Sequence, residues 1–416
     1  MPTRKRPTIR DVAREAGVSY ATVSRVLNGR EWVSPEALQS VRDAIARTGY
    51  TANPHARSLA TGRSGSIAFL LTEPQHLLFS DPNFSVLLRG VAQAVSDREQ
   101  TLILMIAATP EERSRTFAYL SGGHVDGVLL VSPHSGDPLL GQLVRSDVPI
   151  VACGRVLGYE QVISSVAADD RSGGRSAVEH LLAAGCRRIA MITGPQDTSG
   201  GVDRLQGYTD ALIAHGLDIE PARIVHGDWS RESGAAAMRV LLERAPDLDA
   251  VFVASDSMAA ATLPVLREAG RRVPDDVRVV GFDDTGLAET LDPPLSTVHH
   301  PLDRIAEEMV RLLTDVVAGR TPLSITVPTT LVLRESSPSP TASPRPDPAH
   351  AVSPRPDPSP TASPRPDPAH AVSPRPDPAH AVSPRPDPAH AVSPRPDPAA
   401  TAASGPDFRW IGPPPA

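Results

Sequence analysis

The sequence predicts a small all-α helix-turn-helix head, a doubly wound α/β body and a disordered proline-rich tail. Three observations carry this reading. Residues 8–49 hold three short helical patterns set off by capping residues and glycines. From Ser66 onward, apolar runs of strand length alternate with helical stretches. After Ser336 hydrophobic periodicity stops and proline takes over. The expected boundaries are 1–52 for the head, 53–63 for a linker, 64–335 for the body and 336–416 for the tail.

In the head, Thr8 to Asp11 reads TIRD, a capping box that starts a helix with Ile9, Val12, Ala13 and Ala16 on one face. Gly17 supplies the turn. Ser19 caps a second helix, Tyr20 to Leu27, with Val23, Val26 and Leu27 inward and Asn28-Gly29 as its stop. Ser34-Pro35 opens a third, which runs to about Arg47 before Gly49. Two short helices joined by a tight turn and buttressed by a third form a helix-turn-helix. The second helix then leaves Tyr20, Ala21, Ser24 and Arg25 on its outer face, where recognition helices meet base edges. Arg25 suits guanine, and Tyr20 and Ala21 suit bases or a thymine methyl. Thr8, Ser19 and Thr22 suit phosphates, and Asn28 completes the expected DNA-facing set.

Charge agrees with that use. The chain carries a net −7, yet residues 1–61 hold ten Lys or Arg against five Asp or Glu, an excess of five (10 − 5). Next comes NPHARSLATGRS, residues 53 to 64, with Asn53 as cap, Pro54 in the first turn and Gly62 as stop. So short a helix does not hold alone in water. Leu59 is its most exposed apolar side chain, either a minor-groove wedge or a cover for the next domain.

TIRDVAREAGVSYATVSRVLNG, VSPE and NPHARSLATGR together resemble the LacI/GalR family of bacterial transcriptional regulators. That resemblance implies base-reading roles for Tyr20, Ala21 and Arg25, and intercalation at the operator centre for Leu59.

In the body, SIAFLL, TLILMIA, DGVLLVS, PIVACG, RIAMITG, AVFVASD and VRVVGFDD are the strand candidates. Runs this apolar suit parallel strands buried on both faces. Ligands in such sheets bind beyond the carboxyl ends of the strands. That rule selects Asp169 after VISSVAA, Arg204 beyond RIAMITG, Trp229 after IVHGD, Asp256 after AVFVAS, and Asp283 ending VRVVGFD. Carboxylates and a guanidinium can pair with neighbouring hydroxyls, while Trp229 and Phe84 offer flat faces to sugar C–H groups. Plainer roles stay open for each. Asp256 and Asp283 can cap helices, Arg204 can sit in a surface ion pair, and Phe84 can belong to the core.

GPQDTSGGVDRLQGY, GDWSRESG, ASDSMA and RRVPDDVRVVGFDD resemble the effector domain of the same family. The resemblance implies a periplasmic-binding-protein-like fold of two doubly wound subdomains, with Arg204, Trp229 and Asp283 lining an effector cleft. It spans about Thr8 to Glu335. Two stretches depart from it: TEPQHLLFSDPNF is longer than the usual loop, and Asp97-Arg98-Glu99-Gln100 replaces a Gly-containing turn.

In the tail, SPRPDP recurs six times at a ten-residue period from Ser343 to Ser393, with no apolar face to bury. An extended, partly polyproline-II segment is expected, either a tolerated repeat expansion or a docking strip. Cys153 and Cys186 lack metal spacing and read as core residues of a reduced protein. Neither a signal peptide nor a membrane-spanning run is present, so a soluble, cytoplasmic protein without membrane contact is expected. Nucleotide-loop, nucleophile-elbow and metalloprotease motifs are missing. Neither cofactor nor catalysis is therefore expected. The function read from all this is a homodimeric, or higher, repressor on a near-palindromic operator, released by a sugar-like effector. A purine-like co-repressor is the alternative, and a sugar-binding protein without DNA contacts a further one.

Overall fold

The computed structural model describes residues 7–27, 33–50 and 63–339. Asn28, the expected linker helix with Leu59, and the SPRPDP repeats lie outside the described residues.

The head contains α1 (Ile9–Ala16), α2 (Tyr20–Leu27) and α3 (Pro35–Thr48). Their ends follow from local chemistry. The Asp11 carboxylate accepts from the Thr8 N–H at 2.9 Å and from its hydroxyl at 2.7 Å. Gly17 turns the chain at φ 64°, a left-handed conformation that glycine adopts without strain. Ser19 Oγ accepts from the Thr22 N–H at 3.1 Å, and Ser34 Oγ from that of Ala37 at 3.3 Å. Val12, Ala13, Val23, Val41 and Ala44 close a small core between the three helices.

The body holds two six-stranded sheets. The first is built from β1 (Ser66–Leu71), β2 (Thr101–Ile106), β3 (Gly127–Val131), β4 (Ile150–Cys153), β5 (Ser164–Ala168) and β11 (Ser324–Val327), in the order β11-β5-β4-β3-β1-β2, all parallel. The second takes β6 (Ile189–Thr193), β7 (Ile224–His226), β8 (Ala250–Val253), β9 (Arg278–Asp283), β10 (Ser296–His299) and β12 (Thr330–Val332), in the order β12-β10-β9-β8-β6-β7. There only β12 runs antiparallel to its neighbour.

β1 shows why its sequence is apolar throughout. Ile67, Phe69 and Leu71 belong to one core with Leu87, Val91, Met309 and Val310, whereas Ala68 and Leu70 belong to another with Leu120, Leu139 and Leu143. Both faces of the sheet are covered, so alternation has no place. The helices responsible are α4 (Gln75–Ser80), α5 (Pro82–Ser96), α6 (Pro110–Ser121), α7 (Pro138–Val144) and the late α13 (Leu302–Val317). Around the second sheet lie α8 (Asp170–Ala183), α9 (Ser199–Ala214), α10 (Arg231–Arg244), α11 (Asp256–Glu268) and α12 (Leu287–Thr290). The chain therefore passes between subdomains three times: after β5, after β10 and between β11 and β12.

Two details differ from the sequence reading. The long TEPQHLLFSDPNF stretch is mostly helical: α4 buries Leu77 and Leu78, and Asp81 caps α5 by accepting from the Asn83 N–H at 3.0 Å. The body also continues past residue 335. Ser336 and Ser337 are fully buried; Ser336 Oγ donates to the Val279 carbonyl at 2.7 Å, and Ser337 Oγ lies 2.8 Å from His180 Nε2. Small hydroxyls that pair with backbone look like tail composition, which hides them from a hydropathy pattern.

Candidate functional site

The carboxyl ends of both sheets face one cleft, open to solvent and lined from both subdomains. Val131, Gly154 and Ala168 form one wall, and Ser255 and Asp283 the other. Trp229 enters from the turn after β7, Phe84 and Asp81 from the start of α5, and His300 from the crossing after β10.

Arg204 organises the second wall. It is 5% exposed, its Nε donates to Asp170 Oδ1 at 2.7 Å, and its Nη1 donates to the Ala254 carbonyl. The guanidinium lies 3.6 Å over the Phe282 ring and 5.4 Å from that of Trp229. Its Nη1 stands 3.5 Å from Asp283 Oδ1. Trp229 can occupy its place because residue 194 is glycine: a Cβ there would meet the indole at 2.0 Å. Trp229 holds φ 73°, a strained conformation that aims a bulky aromatic into the cleft.

Four of the six expected body residues, Phe84, Arg204, Trp229 and Asp283, thus share the cleft. The other two lie outside its lining. Asp169 caps α8, accepting from the Ser172 N–H at 3.0 Å, and its neighbour Asp170 faces Arg204 instead. Asp256 lies one layer behind the wall, 1% exposed, where it accepts from Thr297 Oγ1 at 2.7 Å and from the Asp284 N–H at 2.8 Å. Burial first, then the Asp283 charge, push its carboxyl well above the usual range. Asp256 in turn holds Asp283 in place, for its N–H donates to Asp283 Oδ2 at 3.2 Å.

The sequence reading missed Asp81, Asn83, Asp170 and His300. Asp81 is raised to about 7, by burial first and then by Asp283 facing it from the opposite subdomain. Asn83 Oδ1 and His300 Nδ1 are buried without a hydrogen-bond partner, His300 Nδ1 standing 3.9 Å from Asp283 Oδ1. Cys153, expected in the core, packs against the core of the first sheet and also lines the cleft. Burial, with Asp170 adding to it, pushes its thiol up to about 12, so it is not a nucleophile at neutral pH.

On the head, Tyr20, Ala21 and Arg25 are exposed on α2 while Val23 between them is fully buried. Thr8 and Ser19 are exposed and Thr22 is half-buried, its hydroxyl 2.9 Å from that of Ser19. These six residues sit at the helix starts and on the outer face of α2.

Residues 8–53 match the model for bacterial regulatory proteins of the lacI family, and residues 178–337 that for a periplasmic binding protein-like domain. The chain is 46% identical over 339 residues to the HTH-type transcriptional regulator CelR of Thermobifida fusca, covering 81% of this chain and 100% of that one. The chain belongs to the lacI family. It is also 36% identical to the ribose operon repressor of Halalkalibacterium halodurans over 79% of this chain and 97% of that one. Among solved structures it resembles a CelR–cellobiose complex, at 45% identity and a TM-score of 0.65, over 80% of this chain and all of that one. A lac repressor dimer bound to operator and the anti-inducer ONPF aligns over the same shares at 26% identity and a TM-score of 0.70. As a lacI-family member the chain is a DNA-binding regulator. No helix among the described residues is long and apolar enough to cross a membrane.

Proposed function

We propose that this lacI-family member is a repressor that holds its operator as a homodimer and releases it when a neutral disaccharide of the cellobiose type fills the cleft. One observation carries the reading: the buried side chains of Arg204 and Asp283 meet in a cleft that Trp229 and Phe84 also line, in a chain 45% identical to a CelR solved with cellobiose. Planar donors and acceptors suit ring hydroxyls, and aromatic faces suit the C–H side of a pyranose. The orphaned Asn83 Oδ1 and His300 Nδ1 supply further polar partners at the same cleft.

Coupling runs through the three crossings. A ligand held by both walls stabilises the closed arrangement of the subdomains, and closure shifts the linkers of a dimer apart. Linkers that no longer pair lose the Leu59 wedge, and the heads lose their register on the two half-sites. In each head Tyr20, Ala21 and Arg25 read bases, while Thr8, Ser19, Thr22 and Asn28 hold the backbone. Binding proceeds without turnover, and contact with the genome places the protein in the cytoplasm. Calorimetric titration of the full chain with cellobiose, glucose, ribose and hypoxanthine tests the reading. Cellobiose should bind tightest. Binding by hypoxanthine alone would favour the purine co-repressor, and binding by none of them would overturn the proposal.

A further inference from the structure

Two ion pairs cross between the subdomains beside the cleft. Arg155, just after β4, places Nη2 2.6 and 2.8 Å from the two carboxylate oxygens of Asp203 on α9. The second crossing is built on an imidazole. His134 follows β3, and its Nε2 lies 2.8 Å from Oε1 of Glu73, just beyond β1 in the same subdomain. Its Nδ1 lies 2.9 Å from Oδ2 of Asp197, between β6 and α9 in the other subdomain. The Ser135 N–H donates to the Asp197 carbonyl at 2.7 Å, so the contact is doubled by the backbone. Glu73 is 7% exposed and its Oε1 also accepts from the Ser132 hydroxyl at 2.6 Å, which anchors the ring from behind.

An ionised carboxylate only accepts hydrogen bonds. With a carboxylate on each nitrogen, both nitrogens must donate, and only the imidazolium does so. We infer that His134 is a positioning residue for effector binding: its imidazolium, anchored on Glu73, grips Asp197 across the cleft mouth, so that closure takes up a proton wherever the open-state ring is neutral. The inference rests on the cleft being the effector site. Glu73 and Asp197 are the charged groups that face the ring, and Ser132 adds a neutral hydroxyl. The hydrogen bond to Glu73 leads in raising His134 to about 9, with Asp197 adding to it against the opposing effect of burial.

When the cleft opens, Asp197 leaves and Glu73 stays. The closed state therefore holds the proton more tightly than the open one. The grip is complete below the open-state value and is lost as pH rises through about 9. Arg155–Asp203 gives the contrast, because a guanidinium stays charged throughout this range.

The test uses the full chain with cellobiose as probe and three variants, His134→Gln, Asp197→Asn and Asp203→Asn. In histidine-labelled protein, the His134 ring resonance, assigned by its loss in His134→Gln, should titrate near pH 9 and fall by about one unit in Asp197→Asn. Relative to Asp197→Asn, the wild-type cellobiose Kd should keep a constant advantage from about pH 6 to 7.5 and lose about tenfold of it by about pH 9.5. Asp197→Asn should start about tenfold weaker and lose that alkaline change, while Asp203→Asn should weaken binding equally at every pH. Asp81 titrates in all of these proteins, so its contribution cancels in the comparison. A His134 titration unmoved by Asp197→Asn, or an unaltered alkaline change in that variant, overturns the inference. Should cellobiose fail to bind at any pH while the resonance still shifts, the sugar reading falls and the His134 grip stands.

Discussion

Asp283→Asn should leave operator binding intact and make the protein nearly blind to its effector. Asp283 is 2% exposed, and its two oxygens have different duties: Oδ2 accepts from the Asp256 N–H at 3.2 Å, and Oδ1 stands 3.5 Å from Arg204 Nη1. Asparagine can keep only one acceptor. Its amide nitrogen meets a donor either way, the Asp256 N–H or Arg204 Nη1; the oxygen keeps the hydrogen bond from Asp256 at the start of α11, so the nitrogen turns toward the longer Arg204 contact and the cleft. A ligand hydroxyl that donated to Oδ1 then meets a donor. Losing a charge-assisted hydrogen bond and leaving a buried donor unpaired costs about 1.5–3 kcal/mol. In Kd that is about 10- to 150-fold. Alanine is the poorer choice, since Asp283 holds φ 132° and truncation would mix backbone strain with the loss of the carboxylate. Calorimetry with the effector and anisotropy with labelled operator should show weakened sugar binding, unchanged affinity for DNA and release displaced to higher sugar concentration. Effector affinity within about twofold of the wild type would remove Asp283 from the site, whatever the melting temperature does.

Three further outcomes follow from other parts of the molecule. Arg25→Ala should weaken operator binding by about 1–3 kcal/mol and relax preference at one base pair per half-site, as a randomised-operator selection would read; an equal loss on all sequences makes Arg25 a phosphate contact. Truncation after Ser339 should leave melting temperature and effector affinity unchanged, whereas truncation after Glu335 removes the buried Ser336 and Ser337 pairings and should cost about 2–4 kcal/mol in denaturant unfolding. Asp81→Asn keeps a capping oxygen for α5 but cannot ionise. Because the folded protein raises Asp81 to about 7, wild-type stability falls as pH climbs from the unfolded value near 4 to about 7. The variant is spared this. Its advantage, on the order of 4 kcal/mol, should be absent near pH 4 and full by pH 8 in melts of the ligand-free protein, and an advantage independent of pH contradicts the assignment.

What could be read from the sequence was what local chemistry decides. The head is specified by residues within four positions of one another, such as Thr8 with Asp11 and Ser19 with Thr22. Strands such as β1 and β8 announce themselves because both faces are buried. β10, β11 and β12 do not: they are three or four residues long, and β11 finds its partner β5 across about 160 residues, Ser324 against Ser165. No window of local pattern contains that pairing.

The site divides in the same way. The strand-end rule picks out Arg204 and Asp283 from their places after apolar runs. It cannot tell which of two adjacent carboxylates caps a helix, so it selects Asp169 where Asp170 faces Arg204. Asp256 follows its strand as the rule requires, yet the side chain turns back to Thr297. Asn83 and His300 reach the cleft from a helix start and from a crossing between subdomains, outside any strand-end pattern.

Operator release under effector is the measurement to make on this protein. With the full chain saturating a labelled operator fragment, cellobiose should lower the anisotropy in a saturable way, its midpoint shifting as linkage to the measured sugar affinity requires. Unchanged or tightened operator binding at saturating cellobiose would contradict sugar-induced release.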